Sequence, residues 1–183
     1  MGMEKAPAKI DMLHGSLWDK LPRFALPVAA TAILEQLFNA SDIAIVGNFS
    51  NGDKTVAVAA VGANSPLIGL ILNLFIGIAL GANVVIANAI GRKDMQSVKK
   101  AVHTALIVAV LSGIVVTVIG ELAAGKVMGL LHVPDDVFPE ALLYLRIYLL
   151  GLPVIFLYNF EAAVFRSIGD TKIPLQALLI SGI

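Results

Sequence analysis

Apolar residues arrive along this chain in long blocks separated by short polar turns. That pattern is neither the alternation of a half-buried strand nor the single stripe of a surface helix. Four blocks reach the ~20 helical residues that cross a ~30 Å hydrocarbon core: Leu21–Phe49, Val56–Ile90, Val98–Leu131 and Phe138–Ile168. A fifth, Pro174–Ile183, is short and rises only ~15 Å as a helix, half a bilayer. The pattern predicts an all-α membrane protein, a polytopic helical bundle of about four and a half transmembrane helices. Residues 1–20 form a polar cytoplasmic arm ahead of the partial bundle at 21–183, and the chain is expected to be an N-terminal piece of a longer protein.

Composition points the same way. Hydrophobic residues make up 58% and charged residues 14%, with a mean hydropathy of +0.88, where a soluble domain carries roughly 25% charge. The net charge of zero leaves no electrostatic footprint for a nucleic acid. Without Cys there is no disulfide, thiolate metal site or cysteine nucleophile. The arm MGMEKAPAKIDMLHGSLWDK has no apolar core or small-residue cleavage site, so no secretory signal is expected.

Basic residues orient the bundle. Lys5, Lys9, Lys20 and Arg23 precede the first span, Arg92, Lys93, Lys99 and Lys100 follow the second, and Arg166 and Lys172 follow the fourth. The opposite loops hold only Lys54 and Lys126, beside the acidic Asp135, Asp136 and Glu140. The positive-inside rule then places the N-terminus in the cytoplasm of a multi-pass inner-membrane protein. Gly69, Gly77, Gly81 and Gly113 within the spans are expected to let helices approach closely.

The first span holds the informative polar set. Thr31, Glu35, Asn39 and Asp42 are spaced i, i+4, i+8 and i+11, which stacks them on one helical face. Asp42 lies ~27 Å of helical rise beyond Phe24, toward the outer side, and Glu35 lies near mid-membrane. Pro27 removes one backbone hydrogen bond and permits a bend. A carboxylate at such a depth costs at least ~2.5–3.5 kcal/mol on insertion scales, so it needs a partner, water or a proton. Burial favours the neutral form, which makes such a group a candidate proton carrier, and Asn39 beside Asp42 offers oxygens to a Na⁺ ion. The plain alternative is an interfacial Asp reaching water and a Glu satisfied in a helix contact.

Elsewhere the expectations are structural. Asn64, Ser65, Asn73, Asn83 and Asn88 read as interhelical glue, with one or two lining a polar cavity. Glu161 and Arg166 read as an interfacial ion pair or as snorkelling residues, and Arg146 as a snorkelling residue within reach of Glu140. Tyr144 and Tyr148 read as interface belt, while Tyr158 is belt or cavity wall. His14, His103 and His132 make no ligand spacing, and no catalytic motif appears, so an enzyme is not expected.

The run LPVAATAILEQLFNASDIAIVGNF resembles the first helix of the MATE (multidrug and toxic compound extrusion) transporters, with Pro27, Asn39, Asp42 and Val46-Gly47 in place. VAVAAVGANSPL and GIALGANVVIANAIGRKD are similar to the two ends of that family's second helix. FRSIGDTKIPL resembles the turn between its fourth and fifth helices, with Arg166, Gly169, Asp170 and Thr171 as structural residues. The resemblance implies a twelve-helix transporter of two six-helix bundles, exporting drugs or cationic and amphipathic metabolites against a H⁺ or Na⁺ gradient. It implies no cofactor beyond that ion. It places the coupling acid at Asp42, the bend at Pro27, and Asn39, Glu35 and Thr31 as the supporting face. The partners implied are a small organic substrate, the lipid bilayer and a C-terminal bundle of the same protein, and a further Asn and Asp of the ion site would lie beyond Ile183. Glu35 stands where many relatives carry an uncharged polar residue. The alternatives are a lipid-linked precursor flippase of the same superfamily, an intramembrane enzyme, or a fragment inactive by itself.

Overall fold

A computed structural model describes residues 17–50 and 52–181. Lys5, Lys9, His14 and most of the arm, together with Asn51, Gly182 and Ile183, lie outside the described residues. The elements are five helices, α1 (Leu17–Phe49), α2 (Lys54–Gly91), α3 (Met95–Leu130), α4 (Phe138–Ser167) and α5 (Lys172–Ser181). No strand occurs among the described residues. α1 begins inside the segment read as an arm, because adding turns to an existing helix is far easier than nucleating one, and Pro22 forfeits only a single bond. α2 and α3, at 38 and 36 residues, extend over roughly 55 Å and must tilt or protrude from the bilayer.

Polar residues at the turns stop and start the helices. The Asp53 carboxylate accepts from the Thr55 N–H at 2.8 Å to cap α2. Asp94 accepts from the Ser97 N–H at 3.0 Å and from its hydroxyl at 2.6 Å to cap α3.

α4 is the hub, packing against α2, α3 and α5, whereas α1 packs against α2 and α5 and reaches α4 through side chains. Leu145, Leu149, Leu152 and Phe156 of α4 are buried with Ala60, Ala124 and Met128. Phe75 of α2 stacks on Phe156 with ring centroids 4.0 Å apart. Asn64 is fully buried and its amide donates to the Ala60 carbonyl at 2.8 Å and the Ala141 carbonyl at 2.9 Å, joining α2 to α4. α1 sits more loosely: Thr31 is the only buried residue among those described in it. Leu70, Leu122, Leu150 and Val154 face outward, as suits a lipid surroundings.

One seam joins α3 to α4. Pro153 lacks the N–H that would bond the Leu149 carbonyl one turn earlier. The Thr117 hydroxyl donates to that carbonyl instead, at 2.7 Å. Gly113 lies flat on Pro153, and a Cβ there would fall 2.6 Å from the Pro153 Cα. Gly120 receives the Leu149 side chain, and Glu121 meets Arg146, Oε2 to Nε 3.6 Å. These residues fall at i, i+4, i+7 and i+8 along α3, a continuous helical face.

Candidate functional site

The polar face of α1 is one row of positions with separate partners. Toward its C-terminal end the Tyr144 hydroxyl of α4 donates to Asp42 Oδ2 at 3.1 Å. This bond links α1 to α4. Tyr148, one turn on, leans against Tyr144 with centroids 6.3 Å apart. Asn39 is exposed, and its side chain makes no hydrogen bond among the described residues. Tyr144, read from sequence as interface belt, is instead the partner of the acid. Its i, i+4 pairing with Tyr148 on one helical face was the available signal.

Further along α1, Glu35 is half-buried and within the electrostatic reach of Arg166 from α4. The Tyr158 hydroxyl donates to the Pro174 carbonyl of α5 at 3.3 Å. Thr31 is buried and its hydroxyl donates to the Pro27 carbonyl at 2.9 Å. That bond braces the turn next to the proline, where the Arg23 carbonyl has lost its helical donor.

The two arginines of α4 differ in their partners. Arg166 forms no ion pair with Glu161 among the described residues; Glu161 is exposed, and Arg166 lies within the electrostatic reach of Glu35. Five residues of helix turn a pair of side chains well apart, whereas three or four bring them together. Arg146 pairs with Glu121 across α3 and α4, not with Glu140.

The turn before α5 is built from the Arg166–Thr171 run. Gly169 adopts φ 79°, where a side chain would be strained, and its N–H donates to the Arg166 carbonyl at 3.1 Å. Asp170 is buried, and its Oδ1 accepts from the N–H groups of Lys172 and Ile173 at 3.1 and 3.2 Å, capping α5. Thr171 is also buried.

The Asp42–Tyr144 pair sets a carboxylate and a phenol side by side, and no group of three acidic or imidazole side chains gathers among the described residues.

The MatE family model matches residues 27–183. The Probable multidrug resistance protein YoeA of Bacillus subtilis is 31% identical over 166 residues, covering 91% of this chain and 35% of that protein. The Probable multidrug resistance protein NorM of Thermotoga maritima is 26% identical over 156 residues, covering 85% of this chain and 33% of that protein. The chain thus spans about a third of the length of these relatives. A crystal structure of a MATE in complex with MaD3S superposes with a TM-score of 0.83 at 22% identity, over 96% of this chain and 38% of that one. A MOP superfamily transporter from Pyrococcus furiosus gives the same TM-score at 23% identity and the same coverage. With its fold, its spans and its family model all in agreement, the chain belongs to the MatE family of MATE transporters.

Proposed function

We propose that these helices carry the coupling acid of a cation-driven antiporter, which exports drugs or amphipathic and cationic metabolites across the cytoplasmic membrane. The Tyr144–Asp42 hydrogen bond carries this reading, because it ties the loosely packed α1 to the rigid α4 through a group that can change charge. Loading Asp42 with H⁺, or with Na⁺ held with help from Asn39, turns that charge-assisted bond into a weaker one. α1 is then freer to bend at Pro27, with Thr31 bracing the bend and Glu35 within the electrostatic reach of Arg166. Alternating access would follow from this bundle moving against the remaining helices of the same protein. The flippase reading loses ground: its phosphate-binding cation would have been Arg146, which is engaged by Glu121.

The test uses the transporter that contains these helices, reconstituted at matched levels. Asp42→Asn preserves size and hydrogen bonding and removes the charge change. Gradient-driven efflux is expected to vanish while equilibrium binding of a fluorescent organic cation persists. Tyr144→Phe is expected to slow efflux less, since the acid remains. Normal pumping by Asp42→Asn across a range of imposed gradients would sink the proposal and leave Asp42 a solvated interface residue.

A further inference from the structure

A groove of about 440 Å³ opens on the outer face of these five helices between α2 and α3, at the basic end and without a lining residue from α1. Its floor is the buried Ala105 and Phe160, and its apolar walls include Ile78, Val85 and Val108. At the end near the α2–α3 turn it is lined by Lys100 and Thr104, both exposed and one helical turn apart on α3. Lys100 makes no ion pair among the described residues, and the Thr104 hydroxyl makes no hydrogen bond there. Asp94, the nearby acid, is hydrogen-bonded to Ser97 at the α3 cap and also feels the Lys100 charge, without an ion pair to it. The same turn adds Arg92, Lys93 and Lys99, so its local charge is strongly positive.

From these features we infer that the groove binds one anionic phospholipid of the leaflet at this end of the bundle. The Lys100 ammonium and the Thr104 hydroxyl take the phosphodiester, and an acyl chain lies along Val85, Val108 and Ile78. Depth supports the fit. Lys100 stands about one and a half turns into α3, where its stem can lie on the apolar wall and its charge reach the headgroups. From Lys100 to Val108 the helix rises ~12 Å, most of one leaflet of a ~30 Å core. Charge selects the headgroup: a zwitterionic lipid gains little from a cluster of cations, whereas each basic residue near the surface favours an anionic one. This site is separate from the α1 face and does not depend on transport.

The test places a reporter beside the groove without filling it. Trp18, the only native Trp, is replaced by Phe, and Leu111→Trp is introduced one turn beyond Val108. The chain is reconstituted in phosphatidylcholine vesicles containing brominated phosphatidylglycerol or, at equal fraction, brominated phosphatidylcholine. Quenching by the brominated phosphatidylglycerol is expected to reflect a local preference of about fivefold. Lys100→Gln should remove that preference, while Lys100→Arg and the groove-distant Lys99→Gln should retain it. Equal quenching by both lipids in the parent, or equal losses in the Lys99→Gln and Lys100→Gln chains, would overturn the site and leave only diffuse attraction to the turn.

Discussion

Thr117 shows how one hydroxyl answers a defect elsewhere in the chain. Pro153 strips the Leu149 carbonyl of its helical donor, and Thr117 replaces that donor from the neighbouring helix at 2.7 Å. Thr117→Val keeps the shape and removes the bond, so a loss of roughly 1 kcal/mol is expected, read by thermal unfolding in detergent micelles. Gly113→Ala should cost more, about 1–3 kcal/mol, because its Cβ would press on the Pro153 backbone, which has no flexible end to move aside. Gly125→Ala, in open space on the same helix, serves as the control and should be neutral or mildly stabilising. Equal destabilisation by the two glycine variants would mean that the seam is not a close contact.

At the scale of the element, the start of α3 rests on a single acid. The hydroxyl and the backbone N–H of Ser97 hold the Asp94 carboxyl below its usual range. Its capping contribution is therefore complete above the ordinary carboxylate pKa and fades as the pH falls through the lowered folded-state value. Amide exchange in the first turn of α3, corrected for its intrinsic pH dependence, should stay flat through mildly acidic pH and rise only in strong acid. Asp94→Ala should raise it where the carboxylate is ionised and converge with the parent in strong acid. α1 presents the opposite case, a helix bound by few buried contacts and interrupted at Pro27. Pro27→Ala should restore the missing bond to the Arg23 carbonyl, stiffen α1 and slow efflux in the transporter without abolishing cation binding.

For the whole molecule, orientation is the property most open to direct test. A cysteine placed at exposed Asp135 should react with an impermeant maleimide from outside, and one at exposed Gln96 only after permeabilisation. Asp170 is a poor choice for the inner face, since it is buried and caps α5. External labelling at Gln96 would reverse the proposed topology. Residues 1–183 expressed alone should not pump, because alternating access needs two bundles moving against each other.

Block length and hydropathy alone specified the four spans and the class of fold, because a bilayer demands long apolar helices with their backbone bonds satisfied internally. The i, i+4 spacing likewise placed Thr31, Glu35 and Asp42 on one face of α1, since helical geometry is local. Which partner each side chain meets was not legible. Tyr144 on Asp42, Arg146 on Glu121 and Thr117 on the Leu149 carbonyl all join residues on different helices. Those contacts depend on how far each helix is rotated and slid against its neighbour. Rotation and sliding are set by the packing of small residues such as Gly113 and Gly120 over the whole length of the seam, which no local pattern encodes.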